Sequence, residues 1–227
     1  MNGRRDTLWG RRKGKPLSQR RLALMERTLP ALTIDLELPT PESLADLFPV
    51  RVSSVNLEIG FGGGEHLVHE ARSHPEIGHL GVEPFLNGLA GAVATIADLG
   101  LRNIRLFDRD AGELLDWLPP ASLTRVDLLY PDPWPKRRHW KRRFVSQQNL
   151  NRIARTLVPA GRFRFVSDIE GYCAWTLSHC LARPDLVWTA ERADDWRTPF
   201  PGWPGTRYEA KALAAGRRPA YLEFRRR

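Results

Sequence analysis

The chain has 227 residues, with 35 Lys+Arg against 26 Asp+Glu, a formal net charge of +9, and 42% hydrophobic residues. That is ordinary globular composition for one domain, or one domain with a short appendage, and it excludes wholesale disorder. No apolar run approaches the roughly 18–20 residues of a membrane span, and no apolar stretch follows the basic start as it would in a secretory signal. The two cysteines, Cys173 and Cys180, lack metal-ligand spacing. The expectation is a cytoplasmic protein with no membrane partner, no metal and cysteines that serve as packing.

Residues 1–50 read as a basic N-terminal arm and a short helix, opened by Pro41 after Thr40 and continued by ESLADLF. Residues 51–227 form the main domain. In chain order, 55–59 is a strand that ends in a glycine cluster, 66–73 a helix and 79–83 a strand. Residues 86–99 are a helix closed by Gly100, 104–107 a strand, 112–118 a helix and 125–130 a strand. Residues 146–157 are a helix ended by Pro159 and Gly161, 163–167 a strand and 171–181 a helix. Near the end, 187–191 and 220–224 are strands, 208–213 is strand or helix, and WRTPFPGWPGT is a loop. Strands alternating with helices mean βαβ units, hence an α/β fold with a mostly parallel sheet and helices on both faces.

The positive charge is concentrated. Residues 1–21 carry +7, residues 136–143 carry +6 and residues 216–227 carry +4. Those segments total +17 in a chain of +9, so the remainder is −8. Three basic runs on an acidic body point to a polyanionic partner. Five of the eight tryptophans (Trp9, Trp134, Trp140, Trp196 and Trp203) lie in polar, basic or Gly/Pro-rich sequence. Such rings either stack on nucleobases or anchor loops to the core.

The first strand runs through Glu58 into Gly60-Phe61-Gly62-Gly63-Gly64-Glu65. A glycine cluster after the first strand of a βαβ unit lets a ligand approach the backbone. The dinucleotide fingerprint wants Gly or Ala where this chain has Glu65, whose charge would repel a pyrophosphate at a helix N-terminus. S-adenosyl-L-methionine carries no phosphate and meets no such objection. Glu58 at the end of a buried strand needs a positive partner, and the ammonium and sulfonium of that cofactor are positive. Glu83 follows Gly64 by 19 positions, the spacing at which an acid holds ribose hydroxyls. Asp108 and Asp110 both end the third strand and are both candidates for the adenine amino group or for a helix cap.

The fourth strand ends in Pro131-Asp132-Pro133-Trp134-Pro135, followed at once by Lys136-Arg137-Arg138-His139-Trp140-Lys141-Arg142-Arg143. In an open α/β sheet the ligand lies beyond the strand ends at the topological switch point, so Asp132 should face the reactive end of the cofactor. The prolines stiffen its loop, Trp134 offers a flat surface, and the basic run offers phosphate contacts.

These strings, LEIGFGGGE, GVE, PDPWPKRRHWKRR, the SD at Asp168 and TRYE at Thr206, resemble the bacterial tRNA (guanine-N7-)-methyltransferases over roughly residues 50–227. The resemblance implies a class I, Rossmann-like methyltransferase fold with a seven-stranded sheet. It implies transfer of a methyl group from S-adenosyl-L-methionine to N7 of a guanine in the tRNA variable loop. It assigns Glu58, Glu83, Asp110 and Asp132 to the cofactor, beside the loop glycines Gly60, Gly62 and Gly64, with Asp132 also catalytic. Lys136, Asp168, Thr206, Arg207, Tyr208 and Glu209 would hold the substrate guanine region. Arg138, His139, Trp140, Lys141, Arg142 and Arg143 would touch RNA. Monomer and homodimer both remain open. A second enzyme reading is an exocyclic-amine methyltransferase, because Asp-Pro-Trp-Pro is similar to the Asp/Asn-Pro-Pro-aromatic motif. A nucleic-acid-binding module with a vestigial α/β domain is the non-enzymatic alternative, and the retained acids and glycines argue against it.

Overall fold

Residues 12–227 are described by the computed structural model. The part of the arm before them, Trp9 included, lies outside the described residues. Within the stretch expected as an arm, the chain is helical from residue 19. Ser18 caps a 14-residue helix, α1 (Gln19–Leu32), with Pro30 in its last turn. The expected short helix after Thr40 is a single 3-10 turn, Leu44–Leu47, capped by Ser43 rather than opened by Pro41.

From there the alternation matches the sequence pattern. β1 (Ser54–Ile59), α2 (Glu65–Ser73), β2 (Ile77–Val82), α3 (Leu86–Leu99), β3 (Ile104–Phe107), α4 (Ala111–Trp117) and β4 (Leu123–Leu129) succeed one another. Then come α5 (Gln147–Thr156), β5 (Leu157–Ser167), α6 (Glu170–Leu181) and β6 (Leu186–Trp188). A one-turn helix α7 (Asp194–Arg197), helix α8 (Arg207–Ala214) and β7 (Ala220–Arg226) end the chain. Residues 208–213 are therefore helical. α5 stops at Thr156, before Pro159 and Gly161, which lie inside β5 where the register with β4 slips between Leu123 and Arg125. Ala160 there is left-handed at φ 63°.

The seven strands form one mixed sheet in the order β3-β2-β1-β4-β5-β7-β6. β1 to β5 run parallel, and β7 runs antiparallel to both β5 and β6. Alternating side chains feed two apolar clusters, as a doubly covered sheet demands. One gathers Phe107, Phe163, Phe165, Phe224 and Leu114 with Tyr172. The other gathers Leu106, Leu67, Leu89, Val93 and Ile96 with Met25 and Leu32 of α1. Cys180 is buried and Cys173 half-buried, both free, and burial pushes each thiol up to about 12. Among the described residues no helix is long and apolar enough to cross a membrane.

The chain leaves β1 outward through β2 to β3 and returns beside β1 as β4. A crevice must therefore open between the ends of β1 and β4.

Candidate active site

That crevice is a cavity of about 620 Å³, lined at the strand ends by Ile59, Val82 and Leu128, and around them by Gly60, Gly62, Glu83, Asp110, Asp132, Trp134 and Tyr208. The glycine loop bends over it. Gly62 sits at φ 58°, and a Cβ there would meet the Arg207 guanidinium at 3.1 Å. From α3, Gly88 lies so close that a Cβ would stand 2.3 Å from the Gly62 carbonyl. Only glycine lets the helix brace the loop at that distance.

Glu83 ties loop to strand. It is buried, with Oε2 accepting from Gly62 N at 2.6 Å and Oε1 from Phe85 N at 2.9 Å. Burial pushes its pKa above the usual carboxylate value, against the lowering by those two amides. Asp110 both lines the cavity and caps α4, accepting from Gly112 N at 2.7 Å. Asp108 is exposed and outside the lining.

Asp132 stands in the loop after β4, and desolvation raises its carboxyl above the usual range. On either side of it, Tyr130 at φ 48° and Trp134 at φ 43° occupy the left-handed region. Two bulky residues there are strained and must be held by their surroundings. Tyr130 stacks on Tyr208 at 6.4 Å, while Trp134 lies under Arg142 at 4.9 Å and edge-on to His139. Desolvation and the cations Arg142, Arg138, Lys136 and Lys141 hold His139 below the usual imidazole value.

Other sequence-predicted residues lie outside the lining. Glu58 is buried with its carboxylate on the Nδ1 of His66 at 2.8 Å. The cavity begins at the strand end, where Ile59 and Gly60 line it, and Glu58 lies one residue further back in β1. Its positive partner in the fold is thus a histidine that the sequence does not single out, on which Trp203 packs at 4.9 Å. Gly64 opens α2 at φ 82°. Thr206 caps α8, and Glu209 is buried, accepting from Trp203 Nε1 at 2.5 Å and from the Tyr221 hydroxyl. Arg207 faces Glu65 at 3.5 Å, and Asp168 is held by Arg217 at 2.5 Å.

The basic run forms a 3-10 turn, Arg137–Arg142. Lys136, Arg137, Arg138 and Lys141 are exposed. Lys141, Arg142 and Arg143 reach the cavity wall, and Arg143 is buried. Residues that the sequence did not signal also line the cavity, among them Phe85, Arg109, Gln148 and Asn149. The last two come from the start of α5, which no motif links to the site. Of the four described tryptophans in polar sequence, Trp134 lines the cavity. Trp140, Trp196 and Trp203 anchor loops.

A methyltransferase family model (Methyltransf_4) matches residues 53–221. The tRNA (guanine-N(7)-)-methyltransferase of Rhizobium meliloti is 59% identical over 221 residues, covering 97% of this chain and 95% of its own length. That of Agrobacterium fabrum is 57% identical over 222 residues, covering 98% and 96%. The chain belongs to the tRNA (guanine-N7-)-methyltransferase family. Among solved structures, an rRNA methylase from Streptococcus thermophilus matches at TM-score 0.53 and 13% identity, over 81% of this chain and 91% of its own. A precorrin-6y C5,15-methyltransferase from Geobacter metallireducens matches at TM-score 0.52 and 16% identity, over 87% and 100%. At such identity the likeness is one of fold, and it gives the family member its class I methyltransferase architecture.

Proposed function

We propose that this protein transfers a methyl group from S-adenosyl-L-methionine to N7 of a guanine in the variable loop of tRNA. The observation that carries this reading is the placement of Asp132, on a strained, proline-stiffened loop at the β1/β4 switch point. It shares one cavity with Glu83 and Asp110 and is followed directly by a basic turn.

The cavity suits the cofactor. Its wall carries three carboxylates, Glu83, Asp110 and Asp132, beside Arg109, Lys141, Arg142 and Arg143, which suits a ligand bearing both signs of charge, and the loop beside it carries Glu65, which disfavours a pyrophosphate. When bound, S-adenosyl-L-methionine supplies an electrophilic methyl on a positive sulfur. Glu83, with one amide bond on each oxygen, keeps further lone pairs for ribose hydroxyls. Asp110 stands at the far edge for the adenine amino group.

Guanine N7 bears a lone pair and no proton, so no group of this chain has to act as a base. Asp132 orients the base by accepting its hydrogen bonds, and its negative charge offsets the positive charge that grows on the ring. N7 lies on the major-groove edge, which is too deep to reach in A-form RNA. The base must therefore be presented from an irregular loop. The exposed cations of the turn after Asp132 hold the phosphates beside it.

The test is incubation of the protein with labelled cofactor and unmodified tRNA, followed by mapping of the modified base. Chain cleavage after reduction and aniline treatment marks 7-methylguanosine. Asp132→Ala should lower turnover by about 100-fold or more with a smaller change in cofactor affinity. A methyl group on an exocyclic amine, or full turnover in that variant, overturns the assignment.

A further inference from the structure

Arg143 closes the basic run, and the family resemblance counts it among the RNA contacts. In the fold it is 5% exposed, while Lys136, Arg137, Arg138 and Lys141 of the same run face solvent. Its Nε donates to the Pro133 carbonyl at 3.0 Å and its Nη1 to the Gly171 carbonyl at 3.2 Å. The guanidinium lies 4.9 Å from the Trp140 ring, 4.8 Å from Tyr172 and 5.1 Å from Trp175. A cation withdrawn from water needs such partners. Carbonyl acceptors and aromatic faces supply them here.

What Arg143 grips is the peptide next to Asp132. Trp140 grips the same loop two residues on, its Nε1 donating to the Pro135 carbonyl at 3.3 Å. Between those two tethered carbonyls sits Trp134, left-handed at φ 43°. A strained residue persists only where its neighbours over-determine it. The fork of an arginine spans two carbonyls on two elements, here the catalytic loop and the first turn of α6, which the point charge of lysine does not reproduce.

We propose that Arg143 is a positioning residue for Asp132 and not an RNA contact. The basic run then divides by role: its exposed cations meet phosphate, and its last arginine, boxed by aromatics, fixes the loop that carries the reacting geometry. The proposal rests on the functional reading above.

The test is Arg143→Lys in the full chain, with Arg138→Ala as the phosphate-contact comparison. A lysine keeps the charge and would preserve a phosphate contact. For Arg143→Lys the expected result is a turnover at saturating tRNA and cofactor lowered by about tenfold to a hundredfold. The tRNA Kd should stay within about twofold and its salt slope unchanged, whereas Arg138→Ala should weaken the slope by about one. Amide exchange at Asp132, Trp134 and Lys136 should quicken in Arg143→Lys, a readout independent of turnover. Wild-type turnover with wild-type exchange in that variant overturns the proposal. Should Arg143→Lys fail to melt as a folded protein, Arg143→Gln removes the charge and keeps an amide donor for the Pro133 carbonyl. Slower turnover with an unchanged salt slope then supports the proposal, and a slope weakened by about one overturns it. Absence of 7-methylguanosine with the wild-type chain strikes the functional reading instead, and the exchange measurement still decides the role of Arg143.

Discussion

Glu58 and Asp132 are carboxylates at the ends of neighbouring strands, and the fold treats them in opposite ways. Glu58 is buried against His66. Burial works against the charged imidazole, yet Glu58, with Asp127 and Glu70 behind it, holds His66 above its usual value. Among the described residues Asp132 receives no such partner, and it is raised by desolvation. Between the ordinary carboxyl value of about 4 and the raised one, the folded chain keeps a proton that the unfolded chain has released. Stability therefore falls as pH rises through that window, by a small amount because Asp132 is exposed and solvent screens most of the penalty. Asp132→Asn should raise the melting temperature while lowering turnover, a trade expected where a site is tuned for chemistry. The pH profile gives a second check. In the wild type kcat/KM should drop on the acid side at a pH above that of an ordinary carboxylate, and the Asn variant should lack that limb. A lower melting temperature in Asp132→Asn would refute the stability argument.

The elements differ in how plainly the sequence announces them. β1 to β4 and α2 to α4 carry their own period and stop signals, such as Gly100 at φ 62° after α3, so local chemistry suffices. α1 does not announce itself, because QRRLALMERTLPAL is polar, basic and interrupted by Pro30. It is helical because Met25 and Leu32 bury against α3, a partner some 60 positions away that no window can see. The site divides in the same manner. The glycine loop, Glu83 and the Asp132 loop each declare themselves as motifs. His66, Gly88, Asn149 and the inward turn of Arg143 depend on tertiary contact and are silent in the sequence. One such contact secures the arm. Asn87, at the start of α3, accepts from Gly14 N at 2.7 Å and donates to the Lys15 carbonyl at 2.8 Å, and Leu86 N donates to the Arg12 carbonyl at 3.0 Å. Phe85, next in line, forms part of the cavity wall, so the docked arm lies against the rim of the site. Asn87→Ala removes two hydrogen bonds, worth about 0.5–1.5 kcal/mol each, and leaves the sheet intact. Amide exchange at residues 13–15 should quicken by about tenfold, while β1 and β4 stay protected. Unchanged protection there would mean that the arm is held by something other than the clasp.

At the scale of the whole molecule, the +9 conceals not only a division between basic segments and acidic body but also a division among the basic segments themselves. The parallel strands all end at the cavity, and β7 runs the other way. Its register sets Ala220 beside Ser167 at the cavity end and Arg225 beside Arg162 at the opposite end. Arg225, Arg226 and Arg227 thus stand across the sheet from the site, while Arg218 is exposed just before Ala220 at the cavity end. Arg217, nearer the cavity, is already held by Asp168, and Arg226 bonds the Leu157 carbonyl. With Arg143 internal as well, the exposed cations of the run that follows Asp132 are Lys136, Arg137, Arg138 and Lys141. Each phosphate neutralised contributes roughly 0.7–0.9 to the slope of log K against log salt. Replacing those four by Gln should therefore weaken the slope for tRNA by roughly 3–4. Replacing Arg225 and Arg227 removes two exposed charges from the far end and should leave the slope within about half a unit of wild type, since exposed charges beyond a Debye length of about 10 Å at 0.1 M salt are largely screened. Equal losses in the two variants would show that tRNA wraps both ends of the sheet, and the partition of charge would then not mark the binding face.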